Sequence, residues 1–170
     1  MREAGKNQRE GETTIDETTI NENRVLSGAP VMEREVTALL EEISSCPETA
    51  AVAVGGSRAT GKADKKSDYD IYVYVEMEIS KERRKSILEK YCGVMEIGNH
   101  YWESEDNCTL NNGVDIDIIY RKLQDFEGDV AAVVEQNRAS NGYTTCMWHN
   151  LATCRILYDR GGALEAMKKR

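Results

Sequence analysis

The first clear pattern in the chain is a run of apolar residues at helical spacing between Pro30 and Pro47. Proline is well placed to begin a helix and to help end one, so this region is predicted to be helical. The apolar side chains that would share one helix face are Val36, Leu39, Leu40 and Ile43. Residues 50–54 follow as a short run of small apolar residues, which predicts a buried strand.

Residues 70–76 alternate along a second predicted strand, because successive strand side chains point to opposite faces. Ile71, Val73 and Val75 fall on one face. Asp70, Tyr72 and Tyr74 fall on the other. Ser80 is a suitable N-cap for a helix running to about residue 91, and residues 94–97 predict a further strand.

The tripeptide Asn111-Asn112-Gly113 is a turn signal between two extended runs, and predicts a hairpin leading into a strand over 114–120. Three helices are predicted after it, at about 123–138, 143–157 and 162–169. The order of elements predicts an α/β (α+β) domain in which helices pack on a mixed β-sheet.

Residues 1–28 are polar and charged, and predict a disordered tail because they cannot bury enough apolar surface to offset the entropy of ordering. The domain is then residues 29–170, with the start of a C-terminal helical region from about 140 as an option. The net charge of −8 disfavours nucleic acid as a partner. No segment has the length and apolarity of a membrane span.

The five cysteines are an odd number without metal-ligand spacing, so they predict reduced thiols in a cytoplasmic protein. Cys146 and Cys154 are eight residues apart and are expected to share one face of the helix predicted over 143–157.

The segment with the clearest chemistry begins where the strand at 50–54 ends in Gly55-Gly56-Ser57. Glycine lets the backbone approach a ligand closely and present N–H groups to a phosphate. Ten residues separate Ser57 from Asp68, and Asp68 and Asp70 begin the second strand and point to the same side. Two carboxylates held this close favour a divalent cation between them, so the pattern predicts a metal site beside a phosphate cradle. This is the combination that phosphoryl or nucleotidyl transfer requires.

A Gly-Ser turn, a spacer of this length and Asp-x-Asp on a strand resemble the polymerase-β-like nucleotidyltransferase superfamily. That superfamily has a third acidic residue on a later strand, and residues 114–120 form such a strand. The resemblance extends over roughly residues 50–165 and includes a prokaryotic branch of the superfamily. The additional similar segments are 100–103, 117–121, 142–150 and 157–160.

The resemblance implies that Asp68 and Asp70 hold two Mg²⁺ ions, with Mn²⁺ as a substitute, and that a third carboxylate joins them. The match of Asp-Ile-Ile-Tyr-Arg points to Asp117 as that third ligand and as the base that takes the proton of the acceptor hydroxyl. Asp115 shares its strand face and stays open as a second acid or as the base itself.

Phosphate contacts are assigned to the backbone of Gly55 and Gly56 and to Ser57. Arg58 has two equal alternatives, a contact with the same phosphates or a structural ion pair within the protein. Among the loop lysines, Lys66 is the candidate for neutralising the departing pyrophosphate. The resemblance further places Trp102, Glu103 and Asp106 near the cleft, and His149 and Asn150 are candidate contacts of the acceptor.

The predicted function is transfer of a nucleoside monophosphate, with AMP from ATP preferred, to a hydroxyl of a small molecule or protein. The resemblance leaves two alternatives open. One is a minimal nucleotidyltransferase that adenylylates a partner protein, as an antitoxin does, and the other is a non-catalytic nucleotide-sensing module. A homodimer is a further option, since dimers are frequent in the superfamily.

Overall fold

The computed structural model describes residues 32–64, 66–100, 103–138 and 143–170, and for residues 143–145 it describes the backbone alone. The predicted tail at 1–28, Pro30 and Trp102 lie outside these residues. The described chain forms, in order, α1 (Arg34–Ser44), β1 (Thr49–Val54), α2 (Gly56–Thr60), β2 (Tyr69–Val75), α3 (Lys81–Leu88), β3 (Cys92–Asn99), β4 (Ser104–Leu110), β5 (Asp115–Lys122), α4 (Leu123–Val134), α5 (Tyr143–Thr153), β6 (Arg155–Asp159) and α6 (Ala163–Lys168).

The six strands form one mixed sheet in the order β3-β4-β5-β2-β1-β6. Strands β2 and β5 are parallel neighbours at its centre, and the other adjacent pairs are antiparallel. The predicted fold class, a mixed sheet with helices packed on it, is confirmed. The hairpin predicted at Asn111-Asn112-Gly113 joins β4 to β5, and the Ser80 side chain caps α3 by accepting a hydrogen bond from the Arg83 N–H.

Helices cover both faces of the central strands, and the alternation along β2 divides the core in two. Ile71, Val73 and Val75 pack with α1 and α3 on one face, which we call the α1 face. Tyr72 and Tyr74 pack with α4, α5 and α6 on the other, the α4 face. This division agrees with the predicted pattern, and it leaves the carboxylate of Asp70 on the α4 face.

The C-terminal part differs from its prediction, because residues 155–159 form strand β6 and not the end of a helix. The apolar run Ile156-Leu157-Tyr158 pairs with β1 at the edge of the sheet, and this distant pairing overrides local helical spacing. Helix α5 therefore ends before Cys154, which is buried, whereas Cys146 is exposed. The prediction that these two cysteines share a helix face is wrong.

All five cysteines lie within the described residues and are free thiols. In the described part of the chain, no helix combines the length and apolar character needed to cross a membrane.

Candidate active site

Two acidic residues lie side by side on the two central parallel strands. Asp70 on β2 is the register partner of Asp117 on β5, so their side chains leave the same face on strands about 4.8 Å apart. Asp68 precedes β2 and is exposed, and Asp115 begins β5 two residues before Asp117. The structure thus brings the four predicted acids to one end of the β2–β5 pair.

The electrostatics of Asp70 reflect this crowding. Partial burial raises the pKa of its carboxyl group, and the negative charges of Asp68, Asp117 and Glu105 raise it further. Asp70 is therefore held in an arrangement that disfavours its own ionised form. A cation among these carboxylates would remove that cost.

The glycine turn between β1 and α2 lies directly against this site. The Gly55 N–H donates to the Asp70 carbonyl oxygen over 2.8 Å. A Cβ atom on Gly56, whose φ is +58°, would lie 1.8 Å from Asp70 Oδ2, and one on Gly55 would lie 2.4 Å from the Tyr72 ring. The two glycines are needed because any side chain here would collide with those of β2. Their phosphate-binding role stays a prediction, as does that of Ser57.

Arg58 is engaged within the protein. Its guanidinium donates to the carbonyl oxygens of Ser67 and Asp68, and lies 3.7 Å from the centre of the Tyr69 ring. Glu33 is 3.8 Å away and completes an ion pair. Of the two alternatives for Arg58, the geometry corresponds to the structural one, which fixes the loop entering β2. A phosphate contact by Arg58 stays a prediction.

Lys66 lies in the loop between α2 and β2. Its backbone N–H donates to Asp64 Oδ1 over 2.9 Å, and the residue is exposed to solvent. Since its charge is not part of an ion pair among the described residues, it is free to meet a bound anion. Pyrophosphate binding by Lys66 stays a prediction.

Strand β4 contributes three residues to the site that the sequence analysis missed, Glu105, Asn107 and Thr109. Asn107 Nδ2 donates to Asp117 Oδ1 over 2.7 Å and to Glu105 Oε1 over 2.6 Å. Asp115 has a different partner, since its Oδ1 accepts from the Thr109 hydroxyl over 2.7 Å. The signal was the alternation of Glu105, Asn107 and Thr109 in a strand whose hairpin partner carries both acids.

Glu103 and Asp106, both expected near the cleft, separate onto opposite faces. Asp106 is fully buried on the α1 face, where it pairs with Arg84, so its placement at the cleft is wrong. Glu103 binds Arg121 through both carboxylate oxygens, and the Arg121 guanidinium lies 4.5 Å from the centre of the Tyr72 ring. The ion pair thus packs against Tyr72, whose ring lies against the Gly55 position of the turn.

Asn150, a candidate contact of the acceptor substrate, also contacts Tyr72. Its Nδ2 donates to the Tyr72 hydroxyl over 3.0 Å, linking α5 to β2. His149 is exposed, and its backbone carbonyl accepts from the Thr153 hydroxyl. A contact of either side chain with an acceptor stays a prediction.

The donor set at this end of the sheet fits a magnesium ion that its substrate helps to bind. Among residues 32–64, 66–100, 103–138 and 143–170, no three His, Cys, Asp or Glu side chains converge tightly enough to chelate an ion alone. Mg²⁺ commonly uses one or two carboxylates and takes its remaining ligands from phosphate oxygens and water. Asp70 and Asp117, with Asp68 beside them, are oxygen donors of that kind.

Among the solved structures that resemble this chain is the apo form I of a CCA-adding enzyme. The two chains are 17% identical with a TM-score of 0.41, and the similarity covers 79% of this chain and 31% of that one. This chain thus spans less than a third of that enzyme's length. No match was found among proteins of curated function.

The family comparison is more extensive. The model described as "Nucleotidyltransferase domain" matches residues 36–138, which is more than half of the 170 residues. The matched region contains the glycine turn, Asp68, Asp70 and the strand with Asp117. The prediction of a nucleotidyltransferase is confirmed at this level, and the chain belongs to the nucleotidyltransferase domain family.

Proposed function

We propose that this protein transfers a nucleoside monophosphate from a nucleoside triphosphate, preferably AMP from ATP, to a hydroxyl group and releases pyrophosphate. The observation that carries the proposal is the register pairing of Asp70 with Asp117 beside the Gly55–Gly56 turn. A carboxylate pair for a metal and a close backbone approach for phosphates thus occupy one end of the sheet.

Asp68, Asp70 and Asp117 would hold two Mg²⁺ ions, or Mn²⁺ in their place. The bound metal would supply neutralisation of the triphosphate charge and a lower pKa for the acceptor hydroxyl. The residues of the chain would orient the reactants, with the turn at Gly55, Gly56 and Ser57 along the β- and γ-phosphates. Lys66 would pair with the charge of the leaving pyrophosphate, and Arg58 would hold the loop that carries Asp68.

In the reaction, the acceptor oxygen forms a bond to the α-phosphorus while the bond from that phosphorus to the bridging oxygen breaks. The hydroxyl proton moves to a carboxylate oxygen. Asp117 is the better candidate because it partners Asp70 directly and Asn107 fixes its orientation. Asp115, exposed and bonded to Thr109, is the alternative base.

The charge around the site favours an acceptor that carries positive charge. Glu105 adds to the negative charge around Asp70, and the whole chain has a net charge of −8. A cationic small molecule with hydroxyl groups, or a basic protein segment, is thus preferred over nucleic acid. Protein adenylylation falls within this proposal. The free thiols favour a reducing, cytoplasmic location.

The experiment that tests this function is incubation with Mg²⁺ and each α-labelled nucleoside triphosphate, alone and with cell extract. Label appearing on a small molecule or a protein, with release of pyrophosphate, would support the proposal and identify the acceptor class. Tight nucleotide binding without transfer in any extract would instead favour the nucleotide-sensing module.

The choice between Asp117 and Asp115 as the base yields a specific prediction. Asn107→Ala removes the partner of Asp117, whereas Thr109→Val removes the partner of Asp115. If Asp117 is the base, Asn107→Ala is expected to lower kcat about 10–100-fold, as losses of supporting hydrogen bonds to metal-site ligands commonly do. Thr109→Val is expected to change kcat by no more than about twofold, since an exposed hydrogen bond contributes little. The opposite order of the two variants would assign the base to Asp115.

A further inference from the structure

A cavity lies on the α1 face of the sheet, away from the carboxylates. It has a volume of about 150 Å³, and its lining includes Val75, Ile79, Arg84, Ser104, Tyr120 and Lys122. Val75 and Lys122 are register partners five residues beyond Asp70 and Asp117, so the cavity lies about 16 Å further along the same strands. Its position makes it separate from the site proposed for nucleotidyl transfer.

Arg84 gives this cavity its chemical character. The residue is 3% exposed, its Nη1 donates to Asp106 Oδ1 over 2.8 Å, and its guanidinium lies 4.6 Å from the centre of the Tyr120 ring. Its Nε and Nη2 have no hydrogen-bond partner among the described residues, although both atoms are buried. Asp106 Oδ2 in the same ion pair is likewise buried without a partner. Buried charged groups without partners are costly, so an added acceptor at the two Arg84 donors would be favourable.

The two free donors of Arg84 lie on one edge of the guanidinium, the edge that binds two oxygen atoms side by side. The same protein shows this arrangement complete at Arg121. There, Nε and Nη2 donate to the two carboxylate oxygens of Glu103, each over 2.8 Å. Arg84 is also one of the residues that line the cavity.

We propose that this cavity is a binding site for a small organic carboxylate with an apolar body. The carboxylate would pair with the free edge of Arg84, and the apolar body would contact Val75 and Ile79. Lys122 at the cavity supplies a second positive charge, while Glu78, which also lines it, is exposed and can turn toward solvent. The buried pairing with Asp106 holds the guanidinium in place for the ligand.

The test is titration of the full-length protein with isovalerate and with benzoate. Binding is measured by calorimetry and by the shift of the melting temperature. Isovaleramide, which has a similar shape but no charge, and inorganic phosphate, which has no apolar body, are the comparison ligands. Sodium chloride at matched ionic strength controls for salt effects. We expect saturable binding of at least one carboxylate and weaker binding of both comparison ligands. Equal binding of isovalerate and isovaleramide, or tighter binding of phosphate, would overturn the proposal.

Two variants locate the binding site. Arg84→Lys keeps the charge but loses the two-donor edge, and is expected to weaken carboxylate binding about 10–100-fold. Ser104→Leu leaves Arg84 intact and fills the cavity, so it keeps the proposal testable if Arg84→Lys does not fold. Arg83→Lys, on the exposed side of the same helix, is the matched control and should bind normally. Binding unchanged in Arg84→Lys or in Ser104→Leu would overturn the proposal.

Discussion

Replacing Asp70 with Asn is expected to make the metal-free protein more stable and, at the same time, inactive. Burial and three neighbouring acids raise the pKa of Asp70 in the folded state, and no protein donor hydrogen-bonds its carboxylate among the described residues. The ionised group therefore opposes folding at neutral pH. Asparagine removes this charge with little change in shape, and we expect about 0.5–2 kcal/mol more free energy of unfolding, the range common for such substitutions. Activity should fall about a thousandfold or more.

The pH dependence of this gain has a defined sign. Below the pKa of Asp70 in the unfolded chain, the carboxyl is protonated in both states and contributes nothing. As the pH rises through the raised folded-state pKa, the native protein must lose a proton that it holds more tightly than the unfolded chain does, and stability falls. The advantage of Asp70→Asn should thus be present at neutral pH and vanish in acid.

Chemical denaturation in metal-free buffer at neutral and acidic pH measures this effect, with Asp129→Asn on the exposed side of α4 as the control. Added Mg²⁺ with nucleotide should raise the free energy of unfolding of the wild type and leave that of Asp70→Asn unchanged, because a ligand stabilises only the protein that binds it. If Asp70→Asn were less stable than the wild type at neutral pH without metal, the ionised Asp70 carboxylate would not oppose folding.

The second large effect is expected for Gly56→Ala. Alanine at a φ of +58° costs about 1–2 kcal/mol, and its Cβ would lie 1.8 Å from Asp70 Oδ2. Since that oxygen ends a short side chain, the carboxylate can move away at small further cost in stability. Displacement of a catalytic group by about 1 Å typically lowers the reaction rate about a hundredfold, and we expect kcat to fall by that factor.

Gly61→Ala is the matched control for this substitution. Gly61 ends the same helix, α2, with a φ of +74°, and a Cβ there would meet no atom within 4 Å. Both variants should therefore lose similar stability in thermal unfolding, but only Gly56→Ala should lose activity. Equal activities of the two would mean that the contact between Gly56 and Asp70 has no part in catalysis.

The sequence predicted those parts of the fold and site that depend on local pattern. Alternation along residues 70–76 was enough to place Asp70 and Tyr72 on one face, and the Asn-Asn-Gly turn located the β4–β5 hairpin. The motif spacing also predicted that Asp70 lies beside the glycine turn, as it does at Gly56. The alternation and the turn were predicted correctly because each is determined by residues only a few positions apart.

Other features depend on partners distant in the chain and were not predicted. Strand β6 owes its conformation to pairing with β1, about a hundred residues earlier, so its apolar run alone did not distinguish strand from helix. Asn107 became visible as the partner of Asp117 only through the β4–β5 register. The orientation of Arg58 toward the Ser67 carbonyl depends on the path of a loop, which no spacing rule specifies.

The most direct test of the central claim is transfer of α-labelled nucleotide by Asp117→Asn, compared with the wild type and with Asp129→Asn. The carboxylates of Asp70 and Asp117 are proposed to act together across the parallel strands. We therefore predict label transfer and pyrophosphate release by the wild type and by Asp129→Asn, and loss of both in Asp117→Asn. Transfer by Asp117→Asn at the wild-type rate would contradict the assignment of the active site.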